Sequence, residues 1–379
     1  MKILYWTSLF WPEIGGIEAI AMNFLPALRA SGHEVIAVAS HGSLKLPDKS
    51  VYNDIPVYRY HILNALWKKD PVQLIRITRQ IANLKRSFQP DIVHMLLGPP
   101  SLGYFHLQTM NAYPSPTLLT IHVDLANART GSDTLLGHLL QNVDWITSDA
   151  YATLSHVRKI HPQIGERLTV IHNGFPMPKP EPAALQFEEP HIVCAGRLVP
   201  EKGFDIAIYA FSQIRKRFPN AHLTIAGDGP LREGLEELAD EQGLNGHFHF
   251  PGAVPHEEIP ALLNTATLVV IPSRQDSFPV VAVEAAQMGR PIIASCIGGL
   301  PEAIVDGETG LLVDAEDVQG FSAAITRLLG DQAEARRMGQ AARERAMTLF
   351  SFDRYVDAYD GLYAKVIARF GDSQRASPL

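Results

Sequence analysis

Cysteine is nearly absent: the 379 residues include 2, Cys194 and Cys296, with no CxxC pair. That excludes a disulfide framework and a cysteine metal site, and makes a reducing compartment, the cytoplasm, the expected location. No apolar run approaches the ~18 residues that a membrane-spanning helix needs. The opening "MKILYWTSLFW" has a single charged side chain and no small-residue cleavage site, and it runs straight into "PEIGG". It reads as a first buried strand rather than a secretory leader. Excess positive charge is missing too: the net charge is -7, and neither a basic-aromatic stripe nor zinc-ligand spacing is found. Nucleic acid is therefore not an expected partner.

Several catalytic signatures are also missing. "AGDGPLREG" starts like a dinucleotide fingerprint, but Arg232 stands where GxGxxG needs its third glycine. There is no GxxxxGK[ST], no GxSxG, and no DxD pair to hold a divalent metal on a diphosphate. His247 and His249 share a strand face in "HFHF" without an evident third ligand, and they read as structural.

What is present is alternation. With 46% apolar and 19% charged residues, the chain is long for one core, and two domains are expected. Short β-rich runs alternate with helical patterns in two series, the signature of parallel sheets built from βαβ units. The first series is "KILYWTS", "EVIAVAS", "PVYRY", "DIVHML", "TLLTIH", "WITS" and "LTVIHN"; the second is "HIVCAGR", "HLTIAGD", "HFHFPG", "TLVVIPS", "PIIAS" and "GLLV". Between them the proline-rich "NGFPMPKPEPAALQFEEP" suits an extended connector. The expected layout is an N-terminal Rossmann-like domain over 1–174, a linker over 175–190, a second Rossmann-like domain over 191–355, a helix over 356–370 and a fraying tail over 371–379. Two doubly wound, Rossmann-like sheets joined this way should face each other across a cleft, with ligands at the carboxyl ends of the strands.

Charge is uneven: residues 1–175 hold 15 Lys and Arg against 12 Asp and Glu, a net +3, which leaves 18 against 28, a net -10, for the rest. In "DPVQLIRITRQIANLKRSF", Leu74, Ile77, Ile81, Leu84 and Phe88 follow helical spacing, while Arg76, Arg79, Lys85 and Arg86 fill the other faces. A docked helix with a solvated basic face is the simpler reading. A peripheral contact of the basic 67–88 segment with anionic lipid, helped by "LWKK", is the sharper one.

Four loops that follow strands carry the candidate chemistry. "WPEIGGIEA" puts Gly15 and Gly16 just before a helix, where backbone N–H groups can approach a phosphate. His122 ends a strand in "TIHVD" and reads either as a site residue or as a satisfied structural histidine. "AGRLVPEKGFD" places Arg197 and Lys202 on one loop beside a helix start, which suits a pyrophosphate. In "RQDSFPVVAVEAAQMG", Pro279 suits the first helical position, and Asp276 and Glu284 flank the helix N-terminus. The helix end prefers an anion, so the acids are placed to accept from hydroxyl groups on either side of a phosphate. The plainer alternative is Asp276 as a helix N-cap.

These loops resemble the retaining glycosyltransferases of GT-B fold, glycosyltransferase family 4. The resemblance rests on "GGIE", "TIHVD", "VIHNG", "GRLVPEKGFD", "AGDGP", "FPGAV", "PSRQDSFPVVAVEAAQMGRPIIA" and "GGLPEAIVDGETGLLV", and it covers nearly the whole chain. It implies a nucleoside diphosphate sugar donor held mainly by the second domain, an acceptor facing the first, and a C-terminal helix crossing back onto the first. By matching motif, Arg197 and Lys202 would neutralise the diphosphate, Glu284 would bind the ribose, and Asp276 would address the donor sugar. The backbone at Val280 and Val281, with Ser277 and Phe278 before it, would meet the phosphates. Gly16 would approach the distal phosphate, His122 would lie near the donor sugar, and the Val254 backbone would edge the base. Retention without a metal or a bound cofactor is implied, by attack on the face the diphosphate leaves. The chain departs from the family pattern at Asp276, where glutamate is usual, at Pro279, often glycine, and at Pro176, often aspartate. A nucleotide-sugar epimerase or hydrolase and a non-catalytic nucleotide-sugar-binding protein are the rival functions. The acceptor stays open among sugar, lipid and metabolite.

Overall fold

The computed structural model describes residues 1–13, 16–42, 44–97, 101–123, 125, 131 and 134–376. Contacts divide the chain into two compact units, one of Met1–His172 together with the chain from Asp353 onward, the other of Asn173–Phe352.

The strands of the first unit are β1 (Lys2–Trp6), β2 (Glu34–Ser40), β3 (Lys49–Tyr52), β4 (Ile55–Tyr60), β5 (Ile92–Leu97), β6 (Thr117–Ile121), β7 (Trp145–Ser148) and β8 (Leu168–Val170). Among the described residues they form one eight-stranded sheet in the order β3-β4-β2-β1-β5-β6-β7-β8. β3 pairs antiparallel with β4, while the other neighbouring strands of the sheet pair in parallel. β3 is absent from the sequence reading: "KSVY" alternates exposed and half-buried residues at the sheet edge, so it lacks the apolar run that marks the buried strands.

The second unit contains β9 (His191–Ala195), β10 (His222–Ala226), β11 (Phe248–Gly252), β12 (Leu268–Ile271), β13 (Ile292–Ser295) and β14 (Gly310–Val313). Their order, β11-β10-β9-β12-β13-β14, is that of a doubly wound nucleotide-binding sheet. Ile192, Cys194, Leu223, Ile225, Leu268, Val270 and Ile293 belong to its buried core. Each fully buried aliphatic side chain of this kind contributes about 1.5–3 kcal/mol. The proline-rich stretch is held on this unit, with Ala183 N–H donating to Asn264 Oδ1 at 2.8 Å and Asn264 Nδ2 donating to Glu181 O at 2.8 Å.

Residues 377–379 of the tail lie outside the described residues, and the C-terminal helix expected over 356–370 lies within one helix over Phe352–Ala376. Its buried Tyr355, Tyr359 and Tyr363 pack on the first unit. Tyr363 Oη lies 2.6 Å from His94 Nδ1, and Thr120 Oγ1 is 2.7 Å from His94 Nε2. Burial pushes His94 down to about 3, so the ring is neutral between two hydroxyl groups. One expectation is corrected, that of Lys85 on a solvated face. Lys85 is 1% exposed. Helix Pro71–Phe88 turns Ile77, Ile81, Lys85 and Phe88 inward, and Lys85 Nζ donates to Thr109 O at 3.3 Å and stands 5.6 Å from the Trp6 ring centre. Desolvation lowers its amine to about 7. Lys85 lies one helical turn beyond Ile81, so its backbone position decides its burial in spite of its charge.

Candidate functional site

The carboxyl ends of the second sheet carry most of the candidate residues. After β9 the chain passes exposed Arg197, makes a single tight turn over Pro200–Lys202 and enters helix Phe204–Ile214 through Gly203. Gly203 has φ 64°, and a Cβ there would meet Pro272 O at 2.1 Å. Only glycine lets this loop sit against the end of β12. Arg274 stitches the two loops together: its guanidinium donates to both Asp205 oxygens at 2.8 and 2.7 Å and to Glu316 at 2.5 and 3.1 Å. The Arg274 and Gln275 N–H groups both donate to Glu201 O, at 2.8 and 3.2 Å.

This stitching brings Lys202 Nζ to 2.6 Å from Asp276 Oδ2, with Ser273 Oγ donating to the same oxygen at 3.2 Å. The Lys202 side chain is 26% exposed and that of Asp276 9%. Asp276 is not the helix cap. Helix Val280–Gln287 has Pro279 at its N-cap with no side-chain cap bond, so the proline stands one position before the first helical residue and not at that residue, where the sequence reading places it. Gly298, at φ 54°, allows the next loop onto Asp276, since a Cβ would meet Asp276 O at 1.7 Å.

Val280 and Val281 open the helix and are half-buried, as is Ser277. Phe278 is buried, edge-on to Phe350 with ring centres 5.5 Å apart, so its side chain serves packing and only its backbone is available to a ligand. Glu284 is 6% exposed and lies 3.5 Å from His256 Nδ1. Burial pushes its carboxyl up to about 8, and burial lowers His256. His256 stands on the loop that follows β11 and also carries half-buried Val254. Lys202, Asp276, Val254 and Glu284 are thus all presented by this unit's strand-end loops and the helix after β12.

In the first unit, His122 follows β6 and Asp149 follows β7, and the pairing Ile121↔Ser148 sets them side by side. His122 Nδ1 is 2.9 Å from Asp149 Oδ2, with the two residues 8% and 2% exposed. Ser148 Oγ donates to Asp149 Oδ1 at 3.2 Å, and His172 Nδ1 reaches Asp149 O at 2.7 Å. A carboxylate on Nδ1 selects the tautomer with its proton there and makes Nε2 the acceptor side of the ring. Gly16 is the exposed first residue of helix Gly16–Ala30, whereas Gly15 lies outside the described residues.

The sequence reading missed Asp149, His256 and Arg274. Asp149 had a usable signal, an acid directly after a strand that neighbours the strand ending at His122. His256 and Arg274 had none, because their partners lie 28 and 69 residues away in sequence.

Comparison with known proteins extends these observations. Residues 14–177 match the family described as Glycosyltransferase Family 4, and residues 179–345 match Glycosyl transferases group 1. A glycogen synthase of Mycobacterium tuberculosis is 29% identical over 401 residues, covering 95% of this chain and 93% of that protein. A GDP-mannose-dependent alpha-(1-6)-phosphatidylinositol monomannoside mannosyltransferase of Mycolicibacterium smegmatis is 37% identical over 167 residues, 42% of this chain and 44% of that one. Among solved structures, a sucrose-phosphate synthase from Thermosynechococcus elongatus superimposes with TM-score 0.84 at 22% identity, over 97% of this chain and 100% of that one.

Proposed function

The chain belongs to glycosyltransferase family 4, a nucleotide-sugar glycosyltransferase on the GT-B fold, and on that premise we propose a retaining, metal-independent transfer from a nucleoside diphosphate sugar to an acceptor hydroxyl. The observation that carries this reading is the Lys202–Asp276 pair at 2.6 Å, set on loops next to the N-terminus of helix Val280–Gln287. A diphosphate, bearing more charge than one carboxylate, competes for Lys202 and draws on Arg197 and the unpaired N–H groups of the helix start. Asp276 is then released toward the hydroxyls of the donor sugar, while buried Glu284 addresses the ribose.

As the bond from the anomeric carbon to the diphosphate oxygen breaks, negative charge collects on the leaving group and positive charge on the ring. Cations already fixed in place stabilise that charge without reorganisation. The acceptor oxygen bonds to the carbon on the face the diphosphate leaves, and a diphosphate oxygen takes the acceptor's proton. Asp276, tied to a lysine, and Glu284, protonated near neutral pH, are both poorly suited as nucleophiles. In the first unit, His122, oriented by Asp149, and the Gly16 backbone are the groups this reading assigns to the transfer.

The acceptor class includes sugars and glycolipids. Contact with an anionic membrane through residues 67–88 is supported by Trp67, Val72 and Ile75, which are 84%, 74% and 54% exposed beside the exposed Lys68, Lys69, Arg76 and Arg79. No helix among the described residues is long and apolar enough to cross a membrane. The reading is tested by melting the protein with a panel of nucleoside diphosphates and their sugars. A matching donor at ~100 times its Kd adds about 2.7 kcal/mol. If none raises the melting temperature, the donor site is misassigned.

A further inference from the structure

β2 and β4 of the first unit are adjacent parallel strands in the register Ser40↔Tyr60, and each is followed at once by a histidine. That register sets His41 and His61 side by side with their rings stacked, centres 4.0 Å apart and planes 16° from parallel. The His41 N–H donates to Tyr60 O at 3.0 Å, which fixes the strand ends. Asp48, whose own carbonyl accepts from Arg59 N–H at 2.7 Å, brings Oδ1 to 3.0 Å from His41 Nε2. One ligand atom from each of the three residues lies within 4.8 Å of the others. All three line a cavity of about 960 Å³ that Glu13, Lys45 and Asn64 also border.

We propose that His41, Asp48 and His61 form a binding site for a divalent transition-metal ion of the zinc class, with its open coordination position directed into this cavity. Two imidazoles and one carboxylate are a donor set that suits borderline ions, and three protein ligands are the number that leaves a position for an exogenous oxygen. Ligand atoms about 2.0–2.1 Å from a tetrahedral ion lie ~3.3 Å from one another. The longest of the three separations, at most 4.8 Å, therefore contracts by up to about 1.5 Å on binding, the 3.0 Å His41–Asp48 contact opens slightly, and the stacked rings turn so that both nitrogens face the ion. His41 is the anchor, with a side chain 8% exposed, while Asp48 is 76% exposed and His61 is exposed at the rim. A simple His41–Asp48 hydrogen bond accounts for two of the three groups. It leaves His61, whose ring makes no hydrogen bond among the described residues, stacked on the pair without a task. The sequence has no motif for this site, because strand register rather than spacing unites the three residues. All of them belong to the first unit and none is among the residues assigned to the donor, so the proposal does not depend on the transfer reading.

The test uses the full chain, stripped with a chelator and dialysed, and titrated calorimetrically with Zn²⁺ and optically with Co²⁺. One equivalent of Zn²⁺ is expected, with Co²⁺ producing the intense visible absorption of a low-coordinate nitrogen and oxygen site. His61→Ala and Asp48→Ala change exposed side chains and are expected to keep the wild-type melting temperature without metal. Each should weaken Zn²⁺ binding by more than about tenfold. His249→Ala, an exposed histidine of the other unit, should bind as wild type does. Absence of a stoichiometric equivalent overturns the proposal, and so does an equivalent held equally well by His61→Ala and Asp48→Ala.

Discussion

Lys202 Nζ and Asp276 Oδ2 lie 2.6 Å apart, so the cation and the anion with which this chain would meet a nucleotide sugar are paired with each other in the protein itself. The contact is held from behind by Arg274, which joins their two loops through Pro200 O and Asp205 and reaches Glu316 on the loop after β14. A pair one-quarter exposed on its lysine side contributes about 0–1 kcal/mol to stability. Its greater consequence is for charge placement.

Lys202→Ala is accordingly expected to lower kcat/KM for transfer by about 100-fold or more while moving the melting temperature little. Asp276→Glu keeps the negative charge and extends its reach by one methylene, and transfer should be retained or raised. Donor turnover and calorimetric donor binding, measured together, check this. A protein that binds donor and turns over nothing in either form is a binding protein instead.

Glu284 makes stability depend on pH. Its carboxyl is pushed from an ordinary 4.5 up to about 8 by burial. Between those values the unfolded chain ionises the group while the folded protein keeps its proton. The stability it contributes is therefore complete below about pH 4.5 and is lost as pH rises toward about 8. Glu284→Gln, neutral throughout, should gain stability over wild type as pH climbs from about 5 to about 8, read as a widening difference in melting temperature. A difference that stays flat across that range means the buried carboxyl ionises freely.

On the proposed function Asp149 would be a positioning residue, acting through His122 at 2.9 Å. Asp149→Asn offers an amide to Nδ1 and disfavours the required tautomer. We expect kcat to fall by about tenfold or more with nucleoside diphosphate affinity unchanged. In a His122→Gln background the same change should cost little further, because the two residues act as one unit. Additive losses would mean that Asp149 serves the fold and not the histidine.

The exposed face around Trp67 predicts a salt-sensitive membrane interaction. The wild-type chain should co-sediment with vesicles containing anionic lipid and detach as ionic strength rises, and Trp67→Ser with Lys68→Glu and Lys69→Glu should remain in the supernatant. Equal sedimentation of both proteins would assign the face to something other than lipid.

Much of the architecture was legible beforehand because buried parallel strands are written as short apolar runs. Among the described residues most strands announce themselves that way, and edge strand β3, whose residues alternate between exposed and half-buried, does not. Lys85 shows the opposite failure: its charge says surface, yet its place on the helix puts it against Trp6.

Sequence by itself determined the two α/β series, the loops that end their strands, and the presence there of Arg197, Lys202, Asp276 and Glu284, since local pattern and residue type are properties of neighbours along the chain. Tertiary structure decided the partners: Lys202 with Asp276, Glu284 with His256, His122 with Asp149, and His41 with His61. Those pairs are set by strand register and loop packing between residues far apart in sequence, and no periodicity within either segment encodes the distance between them.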